Sequence, residues 1–241
     1  MMKKVFLIAA TALAFLFISC GTTGALKSDA YPEMYGEKAP VSILVMPPIN
    51  ETSNVDAKDF FYYTLNQALA DKGYYVFPSI LAMQTLQQES AYDSEMFVDG
   101  DIHKFGTTFG ADLLLFTTIT KWEKSAIGSQ VTIEIDYKLR STSTGNTVYE
   151  RKCTFICDTS QKVMSGGGGY AALFALAANV VASAVSTATT DYVLVARNCT
   201  YYTLDDLPAG KYYEAKAGLD GGEAAGAPAV VYRVQKNQLT R

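Results

Sequence analysis

Acid–base and nucleophilic chemistry has few side chains to draw on in this chain, which carries one histidine and four cysteines in 241 residues. His103 has no HExxH partner and no serine and aspartate in a triad motif, so a surface or capping role is expected of it. No two carboxylates have a spacing that marks an acid/base couple. Asp112 before a strand, and Glu134 and Asp136 on the wet face of another, are expected to be solvated charges. The glycine run at 166–169 precedes a helical pattern, and helix N-termini attract anions. Tyr170-Ala171 follows it, however, where a P-loop needs Lys and then Ser or Thr, so a flexible link into a helix is the better account. Cys153, Cys157 and Cys199 have no CxxC or Cys/His metal spacing. Cys153 and Cys157 fall on one predicted strand roughly 13 Å apart, too far to bridge without a break. Pairing of one of them with Cys199, and three free buried thiols, both stay open. No catalytic residue, cofactor or metal is predicted.

The fourth cysteine, Cys20, stands in a different context. Lys3 and Lys4 form a short positive region, an apolar run covers 5–18, and the small residue Ser19 precedes the cysteine. As a helix the run reaches roughly 21 Å, short of the roughly 30 Å of a bilayer core, so residues 1–19 read as a signal peptide. The Ser19-Cys20 end resembles the lipobox of bacterial lipoproteins, with Phe17 where the usual pattern has Leu. That resemblance implies cleavage before Cys20 and acylation of its thiol and new amino group, which anchors the chain to a membrane. Gly21 stands where an Asp would signal inner-membrane retention, so an outer-membrane destination is expected.

About half of the chain is apolar, 18% is charged and the net charge is −4. That suits one globular domain or two small ones, and excludes a disordered acidic tail, a collagen repeat and a disulfide-dense mini-scaffold. With 20 basic against 24 acidic residues, no nucleic-acid partner is expected.

The elements that would position these groups follow from periodicity. Residues 20–40 are small and polar and read as the lipidated cysteine and a tether. A strand is expected at 41–46, then a capping box over Ser53–Asp56 and a helix burying Phe61, Leu65 and Leu69. A short strand at 74–77, a helix from Ser79, a helix over 102–109 and a continuous strand from Asp112 complete βαβ units and a partly parallel sheet. Val131, Ile133, Ile135, Tyr137 and Leu139 alternate with polar residues, and Gly145-Asn146 turns the chain into a partner strand over 147–157. Residues 170–185 are apolar nearly all round and predict a long helix buried in a core or subunit interface rather than a membrane. With a break near 187–190 it continues to about Tyr202. The fold class is therefore α/β (α+β), with a domain at 41–213 and a Gly/Ala-rich tail at 214–241 whose order or disorder stays open and in which only 230–234 could form a strand.

Aromatic residues are the unusual feature, with 16 Tyr, 12 Phe and one Trp. Amphipathic Tyr is enriched at protein interfaces. The candidate contact residues are Tyr62, Tyr63, Tyr74, Tyr75, Tyr170, Phe174, Tyr201 and Tyr202.

Several stretches resemble a bacterial lipoprotein family of unknown function, of the neisserial surface-antigen type. They are YPEMY at 31–35, SILVMPPIN at 42–50, GYYVFP at 73–78, FGADLLLF at 109–116 with Trp122, and LPAGKY at 207–212. The resemblance implies a fold similar to the TolB N-terminal domain. It also implies kinship with curli-secretion-channel lipoproteins and with lipoprotein activators of peptidoglycan synthases, and it transfers no catalytic residue. The reading is a non-enzymatic outer-membrane lipoprotein that helps build an envelope or secretion complex. Its expected partners are the membrane, other envelope lipoproteins such as a curli-channel-like protein, and further copies of itself. The alternatives are a regulator of a peptidoglycan synthase and a glycan-binding surface protein.

Overall fold

The computed structural model describes residues 24–125, 129–160, 182, 185 and 190–239. Cys20, Tyr170, Phe174 and most of the helix expected over 170–185 lie outside the described residues. One mixed sheet organises the chain, in the order β3-β1-β4-β5-β6-β7. Its strands are β1 (Ser42–Val45), β2 (Ile49–Asn50), β3 (Tyr75–Val76), β4 (Leu113–Ser125), β5 (Gln130–Ser141), β6 (Thr147–Asp158) and β7 (Ala229–Gln235). β1 runs parallel to β3 and β4, β2 is parallel to the far part of β4, and β4-β5-β6 form an antiparallel meander.

The helices are α1 (Lys27–Ala30), α2 (Ala57–Asp71), α3 (Ser79–Gln88), α4 (His103–Phe109) and α5 (Tyr192–Thr203). Side-chain alternation along β1 and β4 splits the apolar residues between two cores. Ile43, Val45, Leu113 and Leu115 join Phe61, Leu65 and Leu69 of α2 and Val195, Ala196 and Cys199 of α5. Leu44, Met46, Leu114 and Phe116 point the other way, against Ala82 and Leu86 of α3 and Phe105 of α4. Along β5, Val131, Ile133, Ile135, Tyr137 and Leu139 are fully buried while the residues between them stay partly wet, as their alternation predicts. Asp191 caps α5 by accepting from the Leu194 amide at 3.1 Å, which gives that helix a separate start.

The tail, whose order the sequence leaves open, carries β7, which adds to β6 in parallel, from Lys152 opposite Ala229 to Asp158 opposite Gln235, and buries Val234. Two expectations are corrected. Residues 26–40 do not behave as a free tether, since Leu26 bridges to Ala224, and α1 and Met34 pack into the domain. The capping box at Ser53–Asp56 does not form. Asp56 makes no side-chain cap, and Asn50, Thr52 and Asn54 bond one another instead. Asp112 is also more than a solvated charge. Its carboxylate accepts from the Val41 and Ser42 amides and the Ser42 hydroxyl, all at 2.9 Å, and so sets the β1–β4 register.

Candidate functional site

The chain leaves β1 through Pro47-Pro48, and beyond that end of the sheet lies an open cleft of about 490 Å³. Proline denies the chain both an amide donor and a free φ, so pairing is interrupted at Pro47-Pro48 before β2 rejoins β4 at Thr118. The turn before α2 supplies Val55 to the cleft, α2 supplies Lys58, Asp59 and Tyr62, and α3 supplies Met83 and Gln87. Ser94 donates to the Pro47 carbonyl at 2.6 Å and holds the loop of Tyr92, Asp93 and Glu95 as the facing wall. Val55, Tyr92 and nearby Met96 are exposed. The arrangement offers an acidic rim around apolar contacts. Among the described residues no group of His, Cys, Asp and Glu could hold a metal.

A second polar constellation, which the sequence reading missed, joins the two ends of the domain. Lys27 of α1 is only 5% exposed, and its ammonium lies 2.9 Å from Glu223, 3.4 Å from Asp220 and 3.9 Å from Asp206. Burial alone would lower the Lys27 pKa, but the Glu223 hydrogen bond and the fields of Asp220 and Asp206 hold it above its ordinary value. Asp220, 3% exposed, also accepts from the Tyr35 hydroxyl at 3.2 Å and from the Ala209 amide at 3.0 Å. Asp206 pairs with Arg151 of β6 and accepts from Tyr31. Hydrogen bonds from Lys27 and Lys216 hold the Glu223 carboxyl down at about 2. The backbone follows the same path, with the Lys27 amide donating to Glu223 O and the Ala225 amide to Ala25 O. This clamp fastens residues 25–35 to 206–225 and to β6.

The predicted contact residues divide. Tyr62 and Tyr74, each 4% exposed, are core residues and are withdrawn as contact candidates. The Tyr62 hydroxyl donates to the Ser79 carbonyl at 3.0 Å and that of Tyr74 to Pro208 at 2.8 Å. Their neighbours face outward, Tyr63 at 65% and Tyr75 at 52% exposure. Adjacent helical residues point about 100° apart and adjacent strand residues to opposite faces, so each Tyr-Tyr pair sends one ring in and one out. Tyr201 is half-buried against Asp71, and exposed Tyr202 packs its ring between Phe155 and Tyr232. His103 is exposed, with Nδ1 2.7 Å from Asp101. Asp136 pairs with Lys152 at 3.0 Å, and Glu134 lies 3.7 Å from Lys121.

The three cysteines described are unbridged and buried. Cys153 on β6 and Cys199 on α5 lie in one core, where Cys199 lowers the Cys153 thiol while burial and Cys153 raise that of Cys199. Among the described residues Cys157 has no such partner, and burial pushes its thiol up to about 11.

Residues 31–208 match the family described as "Putative lipoprotein GNA1162-like". A curated relative, "Putative lipoprotein NMB1124/NMB1162" of Neisseria meningitidis serogroup B, is 32% identical over 96 residues. That match spans 38% of this chain and 42% of the relative's length. Among solved structures, lipoprotein GNA1162 from Neisseria meningitidis is 24% identical, covering 59% of this chain and 96% of that one at a TM-score of 0.45. The PelC dodecamer from Paraburkholderia phytofirmans is 12% identical, covering 68% and 86% at 0.40. The LpoB C-terminal domain from Escherichia coli is 16% identical, covering 53% and 93% at 0.38.

Proposed function

We propose, for a chain that belongs to the GNA1162-like lipoprotein family, that it acts as a non-enzymatic, membrane-proximal assembly component of the bacterial envelope. In this reading Cys20 carries the acyl anchor at the outer membrane, and the cleft beyond β1 meets a partner in a larger complex. The clamp at Lys27 is the observation that carries it. Because Leu26 is already bridged to Ala224, the acylated cysteine stands at most six residue steps from the folded body. Fully extended, six residues reach roughly 21 Å. A domain on so short a leash works beside its own membrane, which suits a component built into a complex better than a regulator reaching for a distant enzyme.

Two measurements test this. Cys20→Ala should move the protein from the membrane fraction to the soluble one, and an unchanged distribution overturns the anchor. Crosslinking in the native envelope, followed by mass spectrometry, should recover envelope proteins joined through the cleft residues. Recovery of a peptidoglycan synthase, or of no envelope protein, contradicts the assembly reading.

A further inference from the structure

The function proposed above leaves two buried nucleophiles unused. Cys153 points from β6 toward α5, Cys199 points from α5 toward the sheet, and they are 3% and 0% exposed in one core. Contacts on either side of Cys153 seat α5 over this stretch of β6: the Tyr149 hydroxyl donates to the Thr203 carbonyl at 3.5 Å, and the Phe155 ring lies 6.0 Å from that of Tyr202. The Thr203 hydroxyl donates to the Cys199 carbonyl at 2.7 Å, and Tyr137 is bonded to Thr200 on the next residue of the helix at 3.1 Å. Residue 157 shares the strand and the core with Cys153 but meets no second cysteine. We propose that Cys153 and Cys199 are a disulfide-forming pair, joined when the chain folds under oxidising conditions, with Cys157 left as a free thiol.

A disulfide needs its sulfurs at about 2.05 Å and its Cβ atoms roughly 3.5–4.5 Å apart, a geometry that two thiols on packed, facing elements reach as the helix seats. The oxidant is a protein or small-molecule disulfide, such as glutathione disulfide. One cysteine thiolate attacks a sulfur of that disulfide and releases a thiolate, giving a mixed disulfide. The second cysteine, losing its proton to solvent, displaces the other half, so the pair gives up two electrons and two protons and the oxidant becomes two thiols. Because both sulfurs are buried, exchange occurs before α5 seats on the sheet. The bond closes a loop of about 45 residues and ties α5 to β6 covalently.

The test is refolding of the full chain from denaturant with reduced and oxidised glutathione, then alkylation in denaturant and peptide mapping without reductant. A crosslinked peptide containing Cys153 and Cys199, with Cys157 alkylated, is expected. Cys153 and Cys199 both alkylated, or either of them bonded to Cys157 or Cys20 instead, overturn the proposal. The Cys157→Ser chain should form the same link, and Cys153→Ser should leave Cys199 alkylated. This arm is independent of export. A chain that links in glutathione but is fully reduced when isolated from cells upholds the pair and counts against the envelope reading.

Discussion

The clamp and the cleft are both polar constellations with acidic residues, and they are built in opposite ways. The clamp bonds of Lys27 to Asp220 and Glu223 and of Tyr31 to Asp206 span 175 to 196 residues of sequence, and the central charges, Lys27 and Asp220, are buried. In the cleft Asn50 reaches four residues to Asn54, and Ser94 holds its own loop to Pro47. Buried charges satisfied by the far end of the chain are committed to holding that end in place. Exposed side chains fixed only through their own loops are free for another molecule. The contrast divides the polar residues into those that fasten and those that can bind.

Breaking the clamp should cost the most. Asp220→Ala leaves Lys27 buried beside fewer carboxylates and removes the acceptor of Tyr35 and Ala209, a loss of about 3–5 kcal/mol in urea unfolding. A loss below about 1 kcal/mol would put Asp220 in the same class as the cleft residues. Tyr74→Phe, which leaves the buried Pro208 carbonyl unpaired, should cost about 1–3 kcal/mol. The cleft should respond in function instead. Tyr92→Ala and Glu95→Gln are expected within about 0.5 kcal/mol of the parent in stability. Both should reduce the yield of envelope crosslinks, and an unchanged yield separates the cleft from partner binding.

The smallest effect is local and depends on pH. Glu223 titrates at about 2 in the folded chain against an ordinary 4.5, so its folded pKa is depressed. Its contribution is complete above the ordinary value and disappears as pH falls through about 2. Carboxyl NMR should therefore show Glu223 still ionised at pH 3.5, and a midpoint near 4.5 would remove it from the clamp.

What the sequence revealed depended on how local the cause was. The β5 alternation and the Phe61, Leu65 and Leu69 face of α2 were legible because each element carries its own burial pattern. Strand β7 was harder, because a Gly/Ala-rich stretch pairs only when β6, some 75 residues earlier, offers an edge. Lys27 sits among small polar residues and reads as solvated, since its carboxylates lie 179 to 196 positions away. Tyr62 and Tyr74 left the tyrosine expectation for a simpler reason: each shares its element with an adjacent tyrosine that takes the outward direction. One close approach was also invisible in sequence. Gly73 adopts φ +85°, and a Cβ there would stand 2.3 Å from the Tyr213 backbone, so a glycine is required beside the loop that leads into the clamp.

The central claim is that residues 25–35 belong to the folded body and leave only a short leash to Cys20. Native-state hydrogen exchange of the full chain tests it most directly, read at the amides of Lys27, Tyr31 and Ala225. The clamp predicts protection comparable to that of the β6–β7 ladder at all three, lost together in Asp220→Ala. Exchange at the rates of an unstructured peptide in the parent chain would contradict it, and would restore a long tether between membrane and domain.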